Sequence, residues 1–418
     1  IPEGEWVLGF GYEQNDMREK RHPTREVLDR VSTTHPVMVT QMSGHMGAVN
    51  SLALRLLGLD AGTPDPEGGR IGRQDDGATP NGYLEERAFT LAGTKIPPVD
   101  LEENLRLLDQ AQEIYLANGI TTAQEGLTRQ GEWDILTEAE RRGRLKMDVV
   151  AYVDWNGSAG LYASGRRAAS PGGRLRMGGA KLMLDGSPQN RTAYMTQPYA
   201  GGTDRGYPAL RDGQLLDLLR SAKEAGAQVL AHCNGDAAAE QLIWAVGQVY
   251  PKGNDARTVM IHAQTVTADQ LARMKELGII PSFFASHIEH FGDTHLRNLG
   301  DRAQRISPCG TAQRLSLPFT LHMDTPVLPP NLMDALSSAC RRVTASGVPL
   351  DPSERITPAQ GLRALTLNAA HQYFQEGEKG SLEAGKRADM LLLSQDPLTA
   401  PDLKAVRVER VVLRGQML

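Results

Sequence analysis

Residues 317–324 read Leu317-Pro318-Phe319-Thr320-Leu321-His322-Met323-Asp324, an apolar run that closes on a carboxylate. A carboxylate at the C-terminal end of a buried strand is where a (β/α)8 barrel keeps its catalytic groups. Two upstream runs close on histidine: Gln228-Val229-Leu230-Ala231-His232 and Thr258-Val259-Met260-Ile261-His262. A third, Lys181-Leu182-Met183-Leu184-Asp185, opens on lysine and closes on aspartate. Lysine, histidine, histidine and aspartate on strand ends, in that order, point to a metal-dependent hydrolase.

Outward from that stretch, apolar strands alternate with helical patterns. Strands are expected to start at 121, 148, 180, 228, 258, 279 and 318, with helices over 100–118, 213–225, 236–249 and 267–277. Near-continuous apolar strands alternating with helices mean a parallel sheet covered on both faces. The fold class is therefore α/β, a (β/α)8 TIM barrel. A closed barrel needs eight strands and seven are visible. The chain opens on Ile1-Pro2-Glu3-Gly4, which reads like the interior of a protein, so strand 1 is expected upstream of Ile1.

Three segments follow. Residues 1–95 are read as an insertion subdomain near the active-site mouth, with a strand at Pro36–Gln41, a helix over Ala48–Leu57 and turn-rich stretches at 62–69 and 75–77. Residues 96–355 hold barrel strands 2–8. Residues 356–418 hold the last helix, with Thr357 as N-cap and Pro358 at N1 and running to about 374, then strands at 388–393 and 406–413. Those strands are expected to be part of a small β-domain.

Bulk numbers exclude several classes. A net charge of -5 gives no electrostatic case for nucleic acid or an anionic membrane. No apolar run approaches the roughly 18 residues of a membrane span. Cys233, Cys309 and Cys340 form neither a disulfide framework nor a CxxC site, so a cytoplasmic setting is the default.

A strand histidine taken alone is more often packed than ligating. The joint placement of His232 and His262 at parallel strand ends changes that balance. Lys181 begins its run, and most lysines are surface charges. A desolvated lysine, however, can act as a nucleophile or carry CO2 as a carbamate between metals. Asp185, four residues on, shares its face and is an alternative ligand. His322, two residues before Asp324, shares the barrel-facing side and is either a ligand's partner or a core residue. Cys233 faces away from His232 and reads as packing. Arg341-Arg342 reads as a surface pair, with carboxylate anchoring as the alternative.

The segments PTREVLDRVS (23–32), GHMGAVNSLAL (44–54), GAKLMLDGSPQNRTA (179–193), AHCNGDAAAE (231–240), IHAQTVTADQL (261–271), LHMDTPVLPP (321–330) and the tail ending GSLEAGKRAD (380–389) carry a resemblance over nearly the whole chain. It resembles the amidohydrolase superfamily, in the YtcJ-like branch of amidohydrolase family 3 that includes N-substituted formamide deformylase-like enzymes. The resemblance implies a metal-dependent hydrolase barrel with a small β-sandwich built from both chain ends. It implies metal ligands Lys181 (carbamylated), His232, His262 and Asp324, with one or two divalent ions, zinc being expected. It implies Asp324 and His262 as catalytic groups acting on a C–N amide-type bond of a small molecule. The family also takes two ligands from an HxH motif on strand 1, and none of the ten histidines here forms one. Substrate contacts are expected from His45 in the insertion and from His287, His290, Phe291 and Asp293 after strand 7, with His322 beside them. A homodimer is common in the family. The competing readings are a non-catalytic or regulatory relative lacking a full metal site, and a lyase or isomerase using Lys181 as a Schiff base.

Overall fold

The computed structural model describes residues 2–14, 17–97, 99–168 and 172–418. Backbone contacts divide the chain into two compact units, residues 1–99 with 325–329, and residues 100–324 with 330–418.

The first unit holds five strands: β1 (Val7–Tyr12), β2 (Val37–Gln41), β3 (Met46–Val49), β4 (Gly69–Arg73) and β5 (Pro80–Glu86). They form one mixed sheet in the order β1-β2-β3-β5-β4, parallel only between β1 and β2. Sequence reading found β2 alone. The other four are short or glycine-bearing and lack clean alternation. Gly47 in β3 shows why one glycine is required: a Cβ there would collide with the Val39 carbonyl and the Phe89 ring. The helix expected from Ala48 starts at Ser51, where the Asn50 side chain accepts from Ala53 N at 2.9 Å and caps it.

The second unit holds a seven-stranded sheet: β6 (Thr122–Thr128), β7 (Asp148–Asp154), β8 (Leu175–Met183), β9 (Gln228–Cys233), β10 (Val259–His262), β11 (Ile280–Phe283) and β12 (Thr320–Leu321). Every pairing is parallel and neighbours follow chain order. This is the sheet of a TIM-like barrel. It curls until its outer strands are one side chain apart. Thr320 Oγ1 on β12 donates to Gln372 Oε1 at 2.9 Å, and Gln372 Nε2 donates to Gln124 Oε1 on β6 at 3.5 Å.

Strand β8 starts five residues earlier than its apolar run suggests. Gly178 and Gly179 look like a break in the sequence. In the sheet they make room instead: a Cβ on Gly178 would meet the Tyr152 ring at 2.6 Å, and one on Gly179 would strike the Gln228 carbonyl. The longer strand moves Lys181 from the start of β8 to its C-terminal end. Strand β12 is shorter than its run, because Pro318 has no N–H to pair and Asp324 turns left-handed at φ 53°.

The helix from Pro358 has its Thr357 cap, which accepts from Gln360 N. It does not run to 374; it breaks at Thr366 (φ −121°, ψ −86°) and restarts as Leu367–Gln372. Three antiparallel strands, β13 (Met390–Leu393), β14 (Val408–Leu413) and β15 (Gln416–Met417), end the chain. Among the described residues, no helix is long and apolar enough to cross a membrane.

Candidate metal centre

The site lies in the second unit, at the C-terminal ends of β8, β9, β10 and β12. Imidazoles line up across it. Ser282 Oγ lies 3.0 Å from His322 Nδ1, and His322 Nε2 lies 3.1 Å from His262 Nδ1. His262 Nε2 lies 3.1 Å from His232 Nδ1, and His232 Nε2 lies 3.0 Å from the Gly186 carbonyl. With the Gly186 carbonyl as the end acceptor, one proton direction runs along the row. The carbonyl can only accept, so His232 donates to it from Nε2. His262 and His322 must then also carry Nε2 protons, and Ser282 donates to the far end. His232 thereby turns its Nδ1 lone pair toward the cluster, with its other nitrogen braced by a carbonyl as metal-ligating histidines are.

One donor atom each from His262, His322 and Asp324 lie within 4.8 Å of one another. His262 is buried, His322 half-buried and Asp324 exposed, so the group is closed behind and open in front. Burial and then His232 and His322 hold the His262 imidazole well below its ordinary pKa, and burial followed by Lys181 takes His322 down to about 3. Both therefore offer neutral nitrogens. Backbone geometry aims them: His262, Ala263 and Asp324 sit at φ 75°, 47° and 53°, the left-handed region that side-chain-bearing residues avoid without compensation.

Lys181 is 7% exposed and has no hydrogen bond or ion pair among the described residues. Burial pulls its amine down to about 8, against the opposing pull of Asp324 and Glu125. A buried, unpaired, readily neutral amine beside two imidazoles and a carboxylate fits a divalent ion and fits carbamylation. Asp185, the alternative on this strand, is committed elsewhere. Its oxygens accept from Asn234 N (2.9 Å), Gly235 N (2.7 Å) and Tyr194 N (3.0 Å), pinning the turn after β9.

The remaining candidates are placed as follows. His287 and His290 form the ends of a short helix (His287–His290) after β11. His290 Nε2 lies 3.1 Å from Asp334 Oδ2, and the Asp334 carboxylate also meets Lys404. Phe291 is buried against His287. Asp293 accepts from Ser346 N and Oγ and so holds a surface turn. His45 lies in the first unit, between β2 and β3, with Nδ1 2.8 Å from Glu86. Cys233 is fully buried in the core, as packing. Arg342 corrects the expected surface pair: it is 0% exposed and donates to the carbonyls of Gln304, Ile306 and Ser307, while Arg341 is exposed.

Sequence reading missed Glu125, a half-buried carboxylate on β6. It is held by Leu127 N at 3.2 Å and by Thr128 Oγ1, at a bulge in the β6–β7 ladder. Burial raises its carboxyl, and Lys181 pulls the other way. Its signal was weaker than that of Asp324, because Glu125 is the fourth residue of a seven-residue strand and does not close it.

The chain belongs to the amidohydrolase family, whose model matches residues 1–418. It is 29% identical to an N-substituted formamide deformylase of Arthrobacter pascens, covering 99% of this chain and 79% of that protein. It is 26% identical to the putative amidohydrolase YtcJ of Bacillus subtilis, covering 100% and 80%. An uncharacterized metal-dependent hydrolase from Pyrococcus furiosus superposes with a TM-score of 0.72 at 27% identity, covering 95% of this chain and 79% of that one.

Proposed function

We propose that this protein hydrolyses a C–N amide-type bond of a small molecule, with N-substituted formamides and acylated amines as the first classes to test. One observation carries the reading: His262, His322 and Asp324 converge beside a buried, unpaired Lys181 at the C-terminal ends of parallel strands. Lys181, His232, His262, His322 and Asp324 would hold a divalent ion, zinc on donor chemistry. When bound, that ion would polarise a substrate carbonyl and acidify water. Asp324, exposed at the front of the cluster, accepts a proton from the attacking water and returns it to the leaving nitrogen. His232 is held in one orientation by the Gly186 carbonyl, and it in turn fixes His262. The deformylase relative supports the choice of substrate class.

The test is amine release from a panel of N-substituted formamides and N-acyl amines by zinc-reconstituted protein. Asp324→Asn should keep its fold and lose about 10²–10⁴ in kcat, the range for a positioned proton-transfer group. Turnover by the variant at the wild-type rate would sink the assignment.

A further inference from the structure

Beyond the short helix His287–His290 the chain breaks at Phe291 (φ −121°, ψ 2°) and enters the helix Gly292–Leu299. His287 and His295 stack across the break, with ring centroids 5.2 Å apart and planes 17° apart. Their facing nitrogens, His287 Nδ1 and His295 Nε2, are 3.1 Å apart. Both side chains are buried, at 3% and 0% exposure. Burial first, then His295 and His322, hold His287 well below the ordinary imidazole range, and burial takes His295 to about 3. Both rings are neutral at neutral pH.

A neutral pair shares one proton across its contact, and His295 Nδ1 decides who donates. That atom is fully buried and has no hydrogen-bond partner. An orphaned buried N–H is rarer than an under-satisfied acceptor and costs about 1–3 kcal/mol. The proton of His295 therefore sits on Nε2 and is donated to His287 Nδ1. His287 must then carry its own proton on Nε2, which, unlike His295 Nδ1, is not fully enclosed and so can give its proton to water or a ligand. The Phe284 ring borders both His287 and the metal cluster. Phe284 lies 4.4 Å from the His287 ring, 5.2 Å from His322 and 6.1 Å from His262, centroid to centroid.

We propose that His287 is a catalytic hydrogen-bond donor whose Nε2–H binds the carbonyl oxygen of the amide being cleaved, and that His295 is the positioning residue that fixes this tautomer. The proposal deepens the hydrolase reading above and rests on it. As water adds to the carbonyl carbon, the C=O π pair moves to oxygen and the water's proton goes to Asp324. The His287 proton stays on Nε2, and its hydrogen bond strengthens as charge grows on the oxygen. A neutral donor suits this task, because no buried charge must be sustained between turnovers.

Two measurements test it. Long-range ¹H–¹⁵N spectra of ¹⁵N-histidine protein, assigned with His287→Gln and His295→Gln, should show both residues as Nε2–H imidazoles. An Nδ1–H signal for His287 overturns the proposal, and this readout needs no substrate. On an N-substituted formamide, His287→Phe should lower kcat by ~10²–10³, the loss for one oxyanion donor, with KM little changed and zinc content intact. His287→Gln keeps an N–H donor and should recover part of that loss. His295→Phe should lose less and give His287 a mixture of tautomers, a change that loosened packing alone would not produce. A wild-type rate in His287→Phe overturns the catalytic role. Wild-type zinc protein that cleaves nothing in the panel overturns it together with the hydrolase reading, while the spectra still decide the tautomer.

Discussion

Lys181 is stored at a cost, and removing it should stabilise the metal-free protein. Its amine falls from 10.5 to about 8, chiefly because burial strips its water, with Asp324 and Glu125 restoring only part. At ~1.4 kcal/mol per pH unit, the drop is worth about 3 kcal/mol against folding. The sign follows from proton counts. Below pH 8 both folded and unfolded chains are protonated, and the full cost is present. Between about 8 and 10.5 the unfolded chain binds more protons, so stability rises with pH until the cost is gone. Lys181→Met should therefore raise stability by up to about 3 kcal/mol at pH 7 and by progressively less toward pH 10. Urea unfolding of both proteins, stripped of metal in CO2-free buffer, reads this directly. A variant no more stable than wild type at pH 7, or an advantage that persists unchanged at pH 10, would refute the reasoning. The cost has a use: with its pKa near 8, about a tenth of the amine is neutral at pH 7, against roughly one part in three thousand for an ordinary lysine. Only the neutral amine can take up CO2.

Asp148 ties the chain's C-terminal region to the barrel, meeting Lys379 at 3.0 Å, Arg387 at 2.9 Å and Arg414 at 2.7 Å. Burial alone would raise its carboxyl, but Lys379 and Arg414 prevail and hold it below the ordinary value. Asp148→Asn takes from the buried Lys379 the carboxylate bonded to it and should cost about 3–5 kcal/mol in denaturant unfolding at pH 7. Because the folded pKa is depressed, that stability is present above about pH 4 and is lost as pH falls through the folded value, so wild type and variant should converge in acid. His322→Phe should weaken zinc retention on dialysis by more than the ~10–100-fold typical of groups that only brace a ligand. Asp293→Asn, which loosens only the Ser346 turn, should keep its zinc. Equal zinc loss in the two variants would remove His322 from the cluster.

The seven strands of the large sheet and the helices Leu101–Ala117, Asp212–Glu224, Asp236–Val249 and Ala268–Leu277 were legible in the sequence, because near-continuous apolar runs and 3.6-residue periodicity are local signals, whereas Gln130–Arg141 and Leu332–Arg341 went unread. The Thr357 cap was legible for the same reason, since it bonds a backbone group only three residues away. The strand-end positions of His232, His262 and Asp324 followed from the barrel rule.

Tertiary structure decided what depends on partners distant in sequence. The Tyr152 ring and the Gln228 carbonyl explain the glycines of β8, and only the longer strand places Lys181 at the ligand end. His322 joined the cluster because β12 lies two strands from β10 and the left-handed turn at Asp324 brings both residues to one point. Arg342 reads as surface charge until three carbonyls some 35 residues away are seen to surround it. The proton on His287 was decided latest of all, since it depends on one orphaned nitrogen eight residues away. Sequence carries propensity and period, which act over a few residues. Hydrogen-bond direction, burial and pKa are properties of a neighbourhood, and the neighbourhood exists only once the sheet has curled.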